Sequence, residues 1–372
     1  MSFERITIRT ISDECDRLRK LGFHVVDAHI GAPSHEPPLP IKETLNDLID
    51  AGRIYTPFTG ISELKNELAH FIEAWSGKPA EPSKVIITSS AAHALYIVFK
   101  MFSGSKILLP KPYFPHYFEQ AEINNVIVNF YDATAHDIVS EIINKLDNNT
   151  KAVLINYPHN PTGYYPPSSQ LKELENELAS RKVLLINDAV YHEIYFNERP
   201  YYPGDIIIDS FSKTFSLPGL RIGYIYWNTG EIERVGRLVY LTTAGVSDFS
   251  QRIALRMLKS ITKEYLDYVR FYYKIKRDML TKLLDELEFE YPEPRGAFYV
   301  FPKHSRIKNS MEFSKSLLSI GRSIYIGIIP GIIFGGANNQ FRISFGKLTE
   351  NDINLIRQEF KKELYTTKSI PY

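Results

Sequence analysis

The sequence predicts an α/β fold: a mainly parallel, doubly wound sheet with one antiparallel strand, joined to a second, smaller α+β domain. Three observations carry this. Between Val85 and Trp227, short apolar runs alternate with longer mixed segments, as strands do when crossover helices separate them. One link in that series is too short for a crossover. Only about ten residues part the run ending at Phe211 from the one starting at Arg221, so an antiparallel strand is expected there. After Glu231 the chain turns helical, and a separate set of short strands follows.

The elements follow in order. The periodic run Ile6–Leu18 predicts a helix and Val25–Ile30 an extended segment. Both are expected on the smaller unit, because chain termini often lie close together. Strands are predicted at Val85–Thr88, Lys106–Leu109, Val126–Tyr131, Ala152–Asn156, Val183–Asn187, Asp205–Phe211 and Ile222–Trp227. Between them, helices are predicted at Ala91–Phe102, Tyr117–Asn124, Asp137–Leu146 and Ser168–Arg181. Ser250–Leu287 has few breakers and supports one long helix or two in sequence. The smaller unit reads as a strand at Ala297–Phe301, a helix at Ser310–Ser319, strands near Ile324–Ile329 and Phe341–Phe345, and a helix from Glu350. The expected division is residues 45–285 for the large domain and 1–44 with 286–372 for the small one.

Composition narrows the function classes. The 372 residues exceed what one core usually holds, in keeping with two units. The 44 Lys+Arg and 43 Asp+Glu leave a net charge of +1, so no basic footprint points to nucleic acid or an anionic membrane. Cys15 is the only cysteine, which excludes a disulfide within the chain and a cysteine-rich zinc site; no metal is expected. The charge-free stretches Ala152–Leu171 and Ser323–Phe341 are interrupted by prolines and glycines, and no signal peptide opens the chain. A cytoplasmic protein is the expectation. No G-x-G spacing, Walker-type loop or H-E-x-x-H occurs, so the switch point of the sheet must bind something other than a dinucleotide.

Three groups sit just past the carboxyl ends of predicted strands, where open α/β sheets bind ligands. They are Asn156-Tyr-Pro-His-Asn160-Pro161-Thr162-Gly163, Asn187-Asp188-Ala-Val-Tyr191, and Asp209-Ser210-Phe211-Ser212-Lys213 continuing to Arg221. A carboxylate at the tip of a buried strand, such as Asp188, is costly unless it meets a cation or a protonated nitrogen. Lys213 lies in a hydroxyl-rich turn where an amine can lose its proton and bond a carbonyl carbon. Ser210, Ser212 and Arg221 are donors suited to a phosphate, and Asn160 and Tyr191 to a phenolic oxygen. Acid, amine and phosphate cup together suit pyridoxal 5'-phosphate. Singly, each has a plainer reading: a surface lysine, a helix cap at Asp188, an Asn-Pro turn. His93, His116, His159 and His192 are expected to be structural or solvated, and Cys15 an inert buried thiol.

At these residues the chain resembles the pyridoxal-phosphate enzymes of the class I/II aminotransferase family, of aspartate-aminotransferase fold type. The resemblance rests on Asn160-Pro-Thr-Gly163, Asp188-x-x-Tyr191, and Ser210-x-Ser-Lys213 followed by Gly219-Leu-Arg221-x-Gly223-Tyr224. Weaker matches are Gly31-x-Pro33, Tyr55 with Gly60, Gly296-Ala-Phe-Tyr299, and Pro330-Gly331 through Phe341-Arg342-Ile-Ser344. Their common order spans nearly the whole chain.

The resemblance implies a Schiff-base lysine at Lys213 that also moves the substrate Cα proton. It implies Asp188 against the pyridine nitrogen, and Tyr191 with Asn160 at the ring hydroxyl. Ser210, Ser212 and Arg221 would hold the phosphate, helped by Ser90, Ala91 and Ala92 at a helix start. That stretch departs from the family, which often has a glycine there. Phe114 would stack on the cofactor. Arg342, with Gly31 and Asn160, would take the substrate, its guanidinium gripping the α-carboxylate. Tyr55 would reach the phosphate of a partner subunit, implying a homodimer.

The implied function is ping-pong transamination between an L-amino acid, of the aspartate or aromatic class, and a 2-oxo acid. A β-lyase or decarboxylase of the same fold is the alternative; a cofactor-sensing DNA regulator is the least expected, since no DNA-binding module is expected in the roughly thirty residues before Gly31 and the charge balance offers no basic patch. The second cation that a dicarboxylic substrate needs is unplaced: Leu241–Gln251 has no Arg or Lys, and Arg53 or Arg295 are the substitutes considered. Tyr113, Phe114 and Tyr117 are expected to accommodate an aromatic side chain.

Overall fold

The computed structural model describes residues 7–42, 48, 53 and 55–365. Ile6 and the expected division at residue 45 lie outside them.

The chain begins with α1 (Ile8–Lys20), capped by Thr7, and a short strand β1 (His24–Val26). Then come α2 (Ser62–Ser76), β2 (Val85–Thr88), α3 (Ala91–Met101), β3 (Lys106–Lys111), α4 (Pro115–Ile123) and β4 (Ile127–Asp132). The series continues with α5 (Ile138–Ile143), β5 (Thr150–Ile155), α6 (Ser168–Ser180), β6 (Leu184–Asp188), β7 (Ile206–Ser210) and β8 (Gly223–Trp227). The seven strands β2 to β8 form one sheet in the order β2-β8-β7-β6-β5-β3-β4. Its strands are rich in Ile, Val and Leu without alternation, because helices cover both faces. β8 alone runs antiparallel, to β7 and to β2, as the short link before Arg221 requires.

Helices α7 (Ile232–Thr243), α8 (Asp248–Lys259) and α9 (Lys263–Glu286) follow, so the breaker-poor stretch forms two helices, parted at Ser260 to Thr262. Thr262 caps α9, its side chain accepting from the Tyr265 amide. The last elements are β9 (Tyr299–Val300), α10 (Ser310–Ser316), β10 (Ile324–Ile326), β11 (Ile329–Pro330), β12 (Phe341–Ser344) and α11 (Glu350–Tyr365). β11, β12 and β9 form an antiparallel sheet. β1 pairs in parallel with β10, so the N-terminal segment does join the C-terminal unit. Helix α2 is not anticipated by the sequence reading. Its start, after Ile61, has no side-chain cap, although Leu64, Leu68, Phe71, Ile72 and Trp75 are buried at helical spacing.

The chain order sets the site. From β3 it moves outward to β4 in one direction, and from β5 through β6 and β7 in the other. The crevice at that reversal, beyond the strand ends, is where such a sheet leaves room for a ligand. Among the described residues no helix is long and apolar enough to cross a membrane, and no cluster of three or more metal-ligating side chains occurs.

Candidate active site

A cavity of about 300 Å³ opens at this crevice, lined by residues from nearly every loop that leaves the sheet. β6 delivers Asp188 at its last residue, β7 delivers Ser210, and the turn after β7 carries Ser212 and Lys213. The loop after β5 supplies Asn160. Its return at Gly163 has φ +72°, and a Cβ there would lie 2.5 Å from the Tyr299 carbonyl oxygen, so only glycine fits. Arg221, at φ 53°, holds a left-handed backbone just before β8. Gly31 and Arg342 enter from the C-terminal unit and the segment after β1.

Lys213 points its Nζ at the Gly31 carbonyl, 2.6 Å away, and over the rings of Tyr191 and Phe298. Its pKa is lowered to about 8, chiefly by burial, with Arg342 and Arg221 adding to the fall and Asp188 opposing it. Asp188 is pushed the other way, to about 6, chiefly by burial, with Asp209 adding to the rise. Its Oδ2 accepts the Tyr117 hydroxyl at 2.6 Å, while its buried Oδ1 has no hydrogen-bond partner. An orphaned carboxylate oxygen facing a cavity is costly and marks a place for a donor. Tyr191 and Tyr299 share a hydroxyl–hydroxyl bond of 2.7 Å.

Arg342 is 2 % exposed. It donates to Asn160 Oδ1 at 3.1 Å and to the His29 carbonyl at 2.8 Å, and lies between the rings of Tyr299 and Phe334. Its Nε is buried without a partner. At the opposite end, Ser90 caps α3, accepting from the His93 amide, and Ala91 and Ala92 open the helix towards the cavity. The glycine-free sequence is accommodated because Gly223 of β8 lies behind this turn: a Cβ on it would meet Ser90 C and Ala91 N at 2.8 Å.

Of the residues singled out from sequence, Gly31, Ser90, Ala91, Ala92, Phe114, Asn160, Asp188, Tyr191, Ser210, Ser212, Lys213, Arg221 and Arg342 all line this one cavity. Tyr55 does not; its ring is 92 % exposed. Of the three aromatics expected to accommodate an aromatic side chain, Phe114 and Tyr117 line the cavity and Tyr113 does not. Tyr113 stacks on Phe118 and Phe130, outside the cavity, and Tyr117 is committed to Asp188. Arg53 and Arg295, the candidates for a second cation, do not line this chain's own cavity, and Arg295 pairs with Glu293 at 2.8 Å.

Sequence reasoning missed the roles of Tyr117, Tyr299 and Asn156. Asn156 joins two segments: its Nδ2 donates to the Asp188 carbonyl at 2.7 Å and its Oδ1 accepts from the Asn160 amide at 3.0 Å. A signal existed for Tyr117, since Pro115 at the first turn of α4 sets a helix that brings it under Phe114.

Residues 24–359 match the family model described as aminotransferase class I and II. The aspartate aminotransferase of Pyrococcus horikoshii is 27 % identical over 95 % of this chain and 94 % of its own. A probable aspartate/prephenate aminotransferase of Aquifex aeolicus is 26 % identical over 95 % of both chains. In fold, the chain is similar to Thermus thermophilus aspartate aminotransferase solved with maleate, with a TM-score of 0.88, 23 % identity, and 96 % and 97 % of the two chains covered.

Proposed function

The chain belongs to the class I and II aminotransferases, and is an enzyme of the transferase class; from that premise we propose that it moves an amino group between an L-amino acid and a 2-oxo acid using pyridoxal 5'-phosphate. One observation carries the reading. An amine of lowered pKa, a buried carboxylate with an unpartnered oxygen and a buried arginine converge on a single cavity. The residues present fit the cofactor: Asp188 Oδ1 lacks the donor that a pyridinium N–H would be, and the α3 start with Ser210, Ser212 and Arg221 offers an anion cup.

When bound, the cofactor supplies an aldehyde and an electron-withdrawing ring that stabilises negative charge at the substrate Cα. Lys213 would hold the cofactor through its Nζ, the aldehyde oxygen leaving as water, and when free its amine would be the group that moves the substrate Cα proton. A pKa near 8 leaves a useful neutral fraction for that work close to neutral pH. Asp188 would hold the ring nitrogen protonated. Asn160 and Tyr191 would hydrogen-bond the ring hydroxyl, and Phe114 would cover a ring face. Arg342 would clamp the α-carboxylate, held ready between two rings so that little order is lost on binding. One such clamp serves amino acid and 2-oxo acid alike, which supports a ping-pong order in which the first product leaves before the second substrate enters.

The relatives' names favour aspartate as donor, and the aromatic class stays with it from sequence. The exposed Tyr55, outside its own cavity, supports a homodimer in which it reaches the partner's phosphate. We place the enzyme in the cytoplasm. No observation favours the lyase or decarboxylase alternative. The test is borohydride reduction of protein loaded with pyridoxal phosphate, with a panel of amino donors assayed against 2-oxoglutarate. Lys213→Ala should lose the trapped adduct and the transfer. An equal adduct in that variant, or pyruvate and ammonia released from cystathionine without amino transfer, would refute the proposal.

A further inference from the structure

We infer that the buried pair His192–Asp209 is a positioning device that braces the two catalytic segments of the site against each other. It rests on the functional reading above, since it concerns the segments carrying Asp188 and Tyr191 on one side, and Ser210 and Lys213 on the other. The β6–β7 ladder pairs Ile186–Asp188 with Ile206–Ile208, and the amide of Ala189 adds a last bond to Ile208. Beyond that point the segments diverge around the cavity. There His192, the neighbour of Tyr191, donates from Nε2 to Asp209 Oδ2 at 3.2 Å. Asp209 is not among the residues that line the cavity, although Ser210 beside it is. Its Oδ1 accepts the amide of Ser210 at 2.6 Å, and its Oδ2 also accepts the Tyr224 hydroxyl at 2.7 Å.

The surroundings fix the imidazole. It stacks on Trp75, ring centroids 4.4 Å apart, and the Tyr202 hydroxyl donates to the His192 carbonyl. Its Nδ1 lies 3.7 Å from Glu193 Oε1, a carboxylate held by Arg199 and Arg270. Burial alone would depress the histidine; Asp209 and Glu193 outweigh it and raise its pKa to about 9, which favours a charged imidazole beside the two carboxylates. His192 is 0 % exposed and Asp209 2 %. A buried ion pair seldom adds stability over an apolar pair of similar volume. What it adds is direction. The link passes from the Tyr191 turn through Asp209 to the amide of Ser210, which lines the cavity.

The test replaces the pair in two ways. His192→Phe/Asp209→Leu removes the link without stranding a charge. His192→Gln/Asp209→Asn keeps a neutral hydrogen bond. Each is read by pyridoxal phosphate titration of the cofactor-free protein and by hydrogen exchange over residues 189–193 and 209–213. Leu174→Ala, in a separate part of the core, is the control for destabilisation. The apolar pair should fold, exchange faster in both segments and bind cofactor about tenfold more weakly, the scale seen when an outer-shell partner is lost. The neutral polar pair should recover both. An apolar pair that exchanges and binds like the wild type, or a polar pair no better than the apolar one, overturns the inference. If the apolar pair does not fold, His192→Ala/Asp209→Asn against the Gln/Asn pair makes the same comparison. Wild-type protein that binds no pyridoxal phosphate would sink the functional reading instead, and the exchange data would still decide the brace.

Discussion

Asp188→Asn separates the stability of the cofactor-free protein from its chemistry. Burial is the main cause that lifts the Asp188 carboxyl from 3.8 to about 6, helped by Asp209 and opposed by the Tyr117 bond, the Val190 backbone amide and Lys213. A folded-state pKa above the unfolded one means the folded protein binds the proton more tightly. That stabilising share is complete below pH 3.8 and is lost as pH rises through about 6. A shift of roughly two units corresponds to a cost of about 3 kcal/mol near neutral pH. Asparagine keeps the size and an acceptor for Tyr117, and carries no charge. The cofactor-free variant should therefore be more stable than the wild type at pH 7.5, by up to about 3 kcal/mol, with the advantage falling to roughly half at pH 5. Urea unfolding at several pH values measures this, and other titrating groups cancel in the difference. The loaded variant should transfer amino groups about 10²-fold more slowly or worse, because a neutral amide cannot keep the ring nitrogen protonated. An advantage that is flat with pH, or a variant less stable at pH 7.5, would show that burial of this carboxylate is not the cost argued here.

Three further outcomes are expected. Arg342→Lys loses the planar fork that Asn160 and the His29 carbonyl hold in place, so KM for the amino donor should rise about 10²-fold while pyridoxal phosphate affinity changes little; steady-state kinetics and cofactor titration check both halves. Gly223→Ala puts a Cβ 2.8 Å from Ser90 C, Ala91 N and the Asp209 carbonyl oxygen, all backbone, so thermal unfolding should show a loss of about 1–3 kcal/mol and cofactor binding should weaken as the start of α3 shifts. Tyr117→Phe strips Asp188 Oδ2 of its donor and should raise the carboxyl pKa further, so the stability loss with rising pH should move to higher pH than in the wild type; an unmoved profile would place Asp188 under other control.

The large sheet was legible because buried parallel strands leave unbroken apolar runs, and the antiparallel β8 because a link too short for a helix allows nothing else. Helix α2 was not, because Ile61 gives no capping signal at its start. Lys213, Asp188 and Asn160 could be singled out since each stands at a strand end within a recognisable run. The role of Tyr299 could not, because it exists only through Tyr191, distant in sequence; that of Tyr117 runs through Asp188, and only the helix that carries it is marked, by Pro115. Nor could spacing show that Arg295 pairs with Glu293.

Asn160 shows why the parts of this site should not act independently. Its Oδ1 already accepts from Arg342, which leaves its Nδ2 as the group free to donate to a ring hydroxyl. Its amide is held by Asn156, and Asn156 also holds the carbonyl of Asp188. Arg342, Asn160 and Asp188, the residues proposed to meet the α-carboxylate, the ring hydroxyl and the ring nitrogen, are therefore linked through one pair of asparagines. Replacing Asn160 with alanine would remove a donor to the cofactor and, in the same step, leave a buried arginine N–H unpaired, so its cost should appear in donor KM as well as cofactor affinity. Combined with Arg342→Lys, the two losses should fall well short of additive, because the second change removes a partner already gone. Additive effects would mean that Arg342 is held by its flanking rings and the His29 carbonyl alone.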